Sequence, residues 1–321
     1  MSADILPNKK IDLSIIIINY NLAKEITNCL NSLFHEIDKL KHFDYEVIII
    51  DNNSPDNGLP ATEKKFLKDN IHFYYLKENI GFGKGCNYGT SKASGEYLCF
   101  LNPDTIITED IFTPIISLFK SDESIGIIGP KQQVSPPFFD FSAGFSPNIF
   151  FELFNLFGIG VFIEGFIISL YAKIKTEKKI EVNWILGAAI FIRFELFKTI
   201  NGFDKDYFMF SEEVDLCKRV SDYGLKIIYY PDLAIHHIGS VSGKKDYTLY
   251  TIRTYSSKFL YISKHFEGPN GALMRFLVQL QLLSQIFIWV VLFPVNEQKS
   301  KQKLNAFIHL LKARGKYEHR H

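Results

Sequence analysis

The sequence predicts an α/β fold, a mainly parallel sheet covered by helices on both faces, and three observations carry that expectation. Apolar runs alternate with helical patterns from Ile11 to Gly129. The runs are continuous and β-branched, as in strands buried on both faces, with no in-and-out alternation. Several of them break abruptly into polar clusters, and open α/β sheets bind their ligands at the carboxyl ends of strands.

Ile11 to Tyr20 (IDLSIIIINY) reads as the first strand, with Asn21 placed to cap a helical pattern that reaches about Leu40. The second strand, Tyr45 to Ile50, ends in Asp51-Asn52-Asn53-Ser54-Pro55-Asp56. Turn chemistry explains that cluster, and so does a strand-end acid that hydrogen-bonds a ribose or base; the residues leave both readings open. A third strand at His72 to Leu76 is followed by ENIGFGKGCNYG, Glu78 to Gly89. Its glycines fall as GxGxG after the third strand, so a dinucleotide fingerprint is a poor reading. A close approach of backbone to ligand, at the start of a helix reaching about Ala93 and presenting Asn87, fits better. Tyr97 to Leu101 is a buried strand that stops at Asn102-Pro103-Asp104. Asp104 is thereby a candidate ligand for a hard divalent cation, although the same three residues also make an ordinary turn.

A helix near Glu109 to Lys120 and a strand at Ile125 to Ile128, closed by Gly129-Pro130, complete the alternating part. The organisation then changes. Residues 135–147 are rich in Pro, Phe and Ser, and Ile149 to Tyr171 is intensely apolar yet carries Glu152, Asn155 and Glu164. A surface-lying or re-entrant hydrophobic insertion is the preferred reading, with a buried helix pair and a membrane span as alternatives. The sheet pattern resumes at Trp184 to Arg193. Ser211 is placed to cap a helix on which Glu212, Asp215 and Arg219 share a face, with Glu213 about 100° round from Glu212. A solvated helix carrying an Asp215–Arg219 pair explains the same residues. A strand at Leu225 to Tyr230 leads to His236-His237, of which one at most faces a metal, because neighbours on a strand point opposite ways. Tyr247 to His265 is helical, and Phe276 to Phe293 is apolar but interrupted by Gln279, Gln281, Ser284 and Gln285, a borderline span or a membrane-surface helix. The tail from Gln298 is basic, with Lys299, Lys301, Lys303, Lys312, Arg314 and Lys316 suited to anionic headgroups.

Composition narrows the function. A 47% hydrophobic chain of 321 residues excludes disorder, and the balance of 36 basic against 35 acidic residues gives no electrostatic case for nucleic acid. Cys29, Cys86, Cys99 and Cys217 have no metal-type spacing and read as core thiols of a reducing compartment. The amino-terminal residues MSADILPNKK lack the apolar stretch of a secretory signal, which leads us to expect a cytoplasmic protein.

From about Ser14 to Gly243 these stretches resemble the inverting GT-A glycosyltransferases of family 2, in particular the bacterial rhamnosyltransferase-like members. The resemblance implies a catalytic domain over residues 1–245, with a hydrophobic insertion at about 135–175, and a membrane-associating helical region over 246–321. It implies that Tyr20 lies beside the nucleotide base, that Asp51 contacts base or ribose, and that Asn79, Gly81, Phe82 and Asn87 line the donor pocket. Asn102-Pro103-Asp104 corresponds to a shortened DxD motif, in which Asp104 holds Mg²⁺ or Mn²⁺ on the diphosphate, with His236 near the metal. Trp184 to Arg193 is similar to an acceptor-side segment. Phe208 to Arg219 is similar to the segment that carries the general base, which puts Glu213 at the base position between Glu212 and Asp215. The implied reaction moves a sugar from dTDP-rhamnose or a UDP-hexose to a saccharide or lipid-linked acceptor in surface polysaccharide biosynthesis, peripherally on the cytoplasmic membrane face. A polyprenyl-phosphate glycosyltransferase and a non-catalytic nucleotide-binding scaffold are the alternatives.

Overall fold

The computed structural model describes residues 11–40, 43–134, 142–174, 179–239 and 246–313. Expectations for the amino-terminal ten residues, for 135–141 of the insertion and for Arg314 and Lys316 of the tail lie outside them.

In chain order the elements are β1 (Leu13–Asn19), α1 (Ala23–Ile37), β2 (Tyr45–Asp51), α2 (Leu59–Lys65), β3 (Ile71–Tyr75), α3 (Phe82–Thr90), β4 (Tyr97–Leu101), β5 (Thr105–Ile107), α4 (Phe112–Ser121) and β6 (Ile125–Val134). There follow β7 (Ala143–Gly144), α5 (Ile149–Asn155), α6 (Gly160–Ile174), β8 (Ile180–Val182), β9 (Trp184–Ile185), β10 (Ala189–Arg193), α7 (Phe194–Thr199), α8 (Glu212–Asp222), β11 (Lys226–His237), α9 (Tyr247–His265), α10 (Gly268–Val291) and α11 (Glu297–Lys312).

The main sheet runs β3-β2-β1-β4-β10-β6-β11-β5, with β8 on β11. Its first four strands are parallel, β10 is antiparallel to both neighbours, and β6 and β11 are parallel to each other, so the sheet is mixed. The parallel half follows from residue type: β1 is fully buried along LSIIIIN, and Ile15 and Ile17 pack under α1 while Ile16 and Ile18 pack on the opposite side. All four cysteines are buried with free thiols.

Four local expectations give way to tertiary contacts. Asn21 does not cap α1; it takes a left-handed conformation (φ 57°) and its side chain accepts from the Asp56 amide at 3.2 Å. Ser211 makes no side-chain cap to α8 and is itself left-handed. β6 does not end at Gly129-Pro130 but continues to Val134, because β11 lies beside it as Gly129 pairs with Tyr229 and Pro130 with Tyr230. The stretch from Trp184 to Arg193 is two strands, broken at Leu186-Gly187-Ala188.

The carboxy-terminal helices build a small core of their own around Phe259, Met274, Val278, Leu282 and Phe307. α5 joins it through Ile149 and through Glu152, which is buried and paired with Lys258 at 2.6 Å. α11, within the stretch read from sequence as a basic tail, packs against α9 and α10 through Ala306, Phe307 and Leu310.

Candidate active site

The carboxyl ends of the adjacent parallel strands β1, β2 and β4 lie side by side at one edge of the sheet, and the candidate cleft is built on them. At its first wall Asp51 is buried, and Asn19 Nδ2 donates to its Oδ1 at 2.8 Å. Ser54 donates its hydroxyl to the same oxygen at 2.6 Å and its amide to Oδ2 at 3.0 Å. A carboxylate has about four acceptor directions, so Asp51 keeps capacity for one further donor. Tyr20 is 39% exposed at the rim, next to the left-handed Asn21.

The Asn79-to-Asn87 segment serves as a clamp. Asn52 Nδ2 donates to Asn79 Oδ1 at 2.9 Å, the Gly81 amide donates to that oxygen at 3.0 Å, and Asn52 Oδ1 accepts from the Ile80 amide. Gly81 has φ 88°, and a Cβ there would overlap the Phe208 carbonyl; the next residue, Phe82, donates its amide to that carbonyl at 3.0 Å. Glycine is required here both by the positive φ and by the approach of the second chain. Asn87, expected in the donor pocket, is turned to the protein instead: its amide group donates to the Phe203 carbonyl at 2.8 Å and accepts from the Phe203 amide at 2.9 Å. The loop so gripped, residues 203–211, ends in two consecutive left-handed residues, Phe210 (φ 72°) and Ser211 (φ 62°). Strain of this kind persists only where surroundings hold it, and it aims the start of α8.

On that first turn the three acids separate by environment. Asp215 accepts from Arg219 Nε at 2.8 Å and faces His265 Nε2 at 2.7 Å, so it is a fully engaged structural carboxylate. Glu212 is buried, its Cβ 3.8 Å from where a Cβ on Gly83 would stand. Burial, reinforced by the charge of Glu213, holds its pKa well above the usual carboxylate range. Glu213 lies over Gly187, whose missing Cβ would be 3.8 Å from the glutamate's Cβ, Cγ and Cδ. Its Oε2 is shielded from solvent without a hydrogen-bond partner, and burial pushes its pKa up to about 7. The Leu186–Ala188 break ties this carboxyl to the metal candidate, since Asn102 donates its amide to the Ala188 carbonyl at 2.9 Å.

Asp104 is buried at the end of that Asn-Pro-Asp turn. The structure places His237, not His236, beside it: His237 Nε2 is 3.3 Å from Asp104 Oδ1, whereas His236 is exposed. The cause is register. β11 bulges between Tyr230 and Ala234 and then pairs His237 with Thr105, the residue after Asp104. Asp104 Oδ1 and His237 Nε2 are separated as two ligands of one small divalent cation would be, about 3 Å. Among the described residues no third histidine, cysteine or acid completes a cluster, so the remaining coordination positions would fall to substrate phosphate and water. Arg193, in the segment read as acceptor-side, instead donates to the Phe119 and Asp122 carbonyls at 2.7 and 3.0 Å, at the carboxyl end of α4.

Residues 14–178, just over half of the chain, match Glycosyl transferase family 2. The chain belongs to that family. It is 27% identical over 211 residues, 60% of its own length and 73% of the relative's, to rhamnosyltransferase WbbL of Escherichia coli (strain K12). To poly(ribitol-phosphate) beta-N-acetylglucosaminyltransferase TarP of Staphylococcus aureus (strain N315) it is 31% identical over 117 residues, 36% of this chain and 35% of TarP. Two solved structures share the fold, which is GT-A. GalNAc-T7 with UDP, GalNAc and Mn²⁺ superposes with a TM-score of 0.55 at 15% identity, over 80% of this chain and 51% of that one. The mannosyltransferase PcManGT of Pyrobaculum calidifontis, with GDP-Man and Mn²⁺, gives 0.54 at 14% identity, over 97% and 88%.

This family 2 glycosyltransferase shows which residues were hidden from sequence reasoning. Asn52 and Gly187 are not flagged by residue type alone, and Asn52 had only its place after a strand-end acid; His237 was a candidate beside His236, and the choice between them needed a bulge that no local pattern announces.

Proposed function

We propose that the protein transfers a sugar with inversion from a nucleotide diphosphate donor, dTDP-rhamnose or a UDP-hexose, to a saccharide or lipid-linked acceptor in surface polysaccharide biosynthesis. The observation that carries this is Glu213, a carboxyl whose shielded Oε2 has no hydrogen-bond partner, raised by burial to about 7 and held across Gly187-Ala188 from the Asp104 turn. A base of that pKa is matched to neutral pH, and in this place it takes the proton of an acceptor hydroxyl that attacks the anomeric carbon from the face opposite the leaving diphosphate. Tyr20, Asp51 and the Asn79–Phe82 clamp form the nucleoside end of the cleft. Asp104 and His237 would hold Mg²⁺ or Mn²⁺, which neutralises charge on the leaving diphosphate. WbbL, a rhamnosyltransferase by name, favours a deoxyhexose donor within this reading.

The same proposal includes a seat on the cytoplasmic face of a membrane. On α6, Phe162, Phe166, Ile167 and Leu170 are exposed along one side, while Glu164 turns inward to accept from the Phe145 amide at 2.6 Å. α10 is long and apolar enough to cross a membrane by length and composition. Its inward stripe nevertheless packs on α9 and α11, and buried Gln281 accepts from Lys258 at 3.2 Å, which favours a helix lying on the surface with Phe276, Leu283 and Phe287 outward. Purified protein incubated with a panel of nucleotide sugars, with nucleotide diphosphate release as readout, tests the activity; release from none of them with Mg²⁺ or Mn²⁺ present would refute it.

A further inference from the structure

Gln132 is buried on β6 and takes no part in the metal or nucleotide ends of the cleft. Its backbone amide donates to Ser142 Oγ at 2.7 Å, and its side-chain Nε2 donates to the Leu186 carbonyl at 2.5 Å. Leu186 donates its own amide to the Ser142 carbonyl at 2.9 Å. Both backbone groups of Leu186 are thereby gripped, one by each residue, and the two residues are tied to each other. What remains of Gln132 is its Oε1, shielded from solvent with no donor among the described residues. Turning the amide over does not cure this, because the oxygen would then face the Leu186 oxygen. A buried acceptor without a donor is costly, and an apolar side chain of the same length would avoid that cost. The amide is explained by what its Nε2 holds.

It holds the floor under the base. The Leu186 carbonyl belongs to the peptide that joins Leu186 to Gly187, and a Cβ on Gly187 would stand 3.8 Å from Cβ, Cγ and Cδ of Glu213. One turn along α8, Cys217 shares a hydrogen bond with the Ile185 backbone, so the helix rests on this segment at two points. The far end of the break is fixed by Asn102, which donates to the Ala188 carbonyl. Gln132 pairs in register with Ile235, two residues before His237, and alternate residues of a strand share a face, so Gln132 and His237 project from one side of the sheet. A single side chain links the strand pair that ends at His237 to the peptide under Glu213.

We propose that Gln132 is a positioning residue for sugar transfer, pinning the Leu186–Gly187 peptide so that the Glu213 carboxyl stands at a fixed place relative to Asp104 and His237. This rests on the sugar-transfer reading above and adds to it a residue that acts through Glu213. The titratable groups whose charges interact with Glu213 are Glu212 and Cys217 on α8 and Tyr250 on α9. Gln132 brings no charge to them, so its removal acts on Glu213 by loosening the floor and admitting water.

The test is Gln132→Met in the full chain, which keeps length and burial and removes the donor, assayed with a nucleotide sugar that supports diphosphate release. The kcat should fall about tenfold or more with the donor KM unchanged, and the midpoint of the kcat/KM pH profile should move about one unit below its wild-type place near 7, toward the ordinary carboxyl range. Added to Glu213→Gln, the same change should cost at most about twofold more, because residues that act as one unit are not additive. Gln133→Met, at the exposed neighbour, should change nothing. Mn²⁺-supported nucleotide binding equal to wild type reports that the variant is folded, and Gln132→Asn, whose amide falls one methylene short of Leu186, replaces it if it is not and should show the same losses. Losses that multiply in the double variant, an unmoved pH midpoint, or an unchanged kcat each overturn the proposal. A raised donor KM at unchanged kcat makes Gln132 a substrate contact and also overturns it. Should no nucleotide sugar support release, the titration of Glu213 still decides, followed by the ¹³C signal of its labelled carboxyl and assigned with Glu213→Gln. A fall in Gln132→Met then supports the clasp without the transfer reading, and an unchanged titration overturns it.

Discussion

His265, the last residue of α9, places its Nε2 2.7 Å from Oδ1 of Asp215 on α8, so the carboxy-terminal helices hold the helix that carries Glu213. The same helix reaches the loop before it, where Ser257 donates to the Met209 carbonyl at 2.8 Å and Lys264 pairs with Asp204 at 2.7 Å. Asp215 is almost wholly buried, and loss of one partner leaves Arg219 to hold it. His265→Ala should therefore destabilise the protein by about 1–3 kcal/mol in denaturant unfolding, and His265→Gln, which keeps a donor near that place, should recover part of the loss. Unchanged unfolding in His265→Ala would mean that the contact contributes nothing to the junction.

Glu213→Gln should cut single-turnover transfer about 10²- to 10⁴-fold with donor affinity nearly intact. Glu212→Gln should do little, because burial and the Glu213 charge already keep Glu212 protonated at neutral pH and the amide is its neutral isostere. The pH profile follows from the same environment. A base must be ionised to act, and Glu213 titrates at about 7, so kcat/KM should rise about tenfold per pH unit below 7 and level off above it. A profile flat from pH 5.5 to 8 would remove Glu213 from the proton transfer.

Glu164 gives a stability test of opposite sense to that of an ordinary surface acid. Its folded pKa is pushed up to about 7, by burial first and with the Glu152 charge adding to it, above the ordinary 4.5. The stability this contributes is present below pH 4.5 and is lost as pH rises through 7. Glu164→Gln keeps an acceptor for the Phe145 amide and cannot ionise, so it should gain on wild type by on the order of 1–3 kcal/mol between pH 5 and pH 8 in chemical denaturation. Parallel pH dependence in both proteins would count against a buried Glu164.

The parallel half of the sheet was legible because each strand is a local signal: runs such as SIIIIN need no partner to be recognised, and the polar residues that end them mark the cleft. β5 and the far half of β11 were not legible, since each exists only through pairing with the other, Thr105 with His237 and Ile107 with Ile235. That pairing decides which histidine meets Asp104. Asp51 and Asp104 stand at or just past strand ends, as strand-end logic placed them, while Asn79 was named only by the resemblance; Asn87 is turned to Phe203, 116 positions away, because an asparagine on a helix serves a neighbouring loop as readily as a ligand. The inward turn of Glu152 and Glu164 was equally hidden: in sequence they interrupt an apolar stretch, and in three dimensions they leave its outer side uninterrupted.

Donor binding should depend on Asp104 and His237 together. Asp104→Asn and His237→Ala should each weaken Mn²⁺-supported binding of the nucleotide about tenfold or more by calorimetry, while His236→Ala, whose side chain is exposed, should not. With chelator present all four proteins should converge. An effect of His236→Ala equal to that of His237→Ala would show that the register at the end of β11 is not the one that binds.

The outer sides of α6 and α10 should carry the protein onto anionic membranes. A monomer seldom leaves an apolar patch beyond a few hundred Å² in water, and Phe162, Phe166, Ile167, Leu170, Phe276, Leu283 and Phe287 are all exposed. The α5–α6 turn reaches α10, a Cβ on Gly158 standing 3.5 Å from Gln285 Nε2, which brings the start of α6 near α10. Burying a phenylalanine in the interface contributes about 1.5–3 kcal/mol, and three together set the partition. The triple substitution Phe162→Ser, Phe166→Ser and Phe287→Ser touches none of the cores around Phe259 or Ile16. It should lower co-flotation with phosphatidylglycerol liposomes about tenfold or more without shifting the unfolding midpoint, and leave nucleotide diphosphate release from a soluble donor intact. Co-flotation equal to wild type, with the folded state preserved, would show that these aromatic residues face something other than lipid.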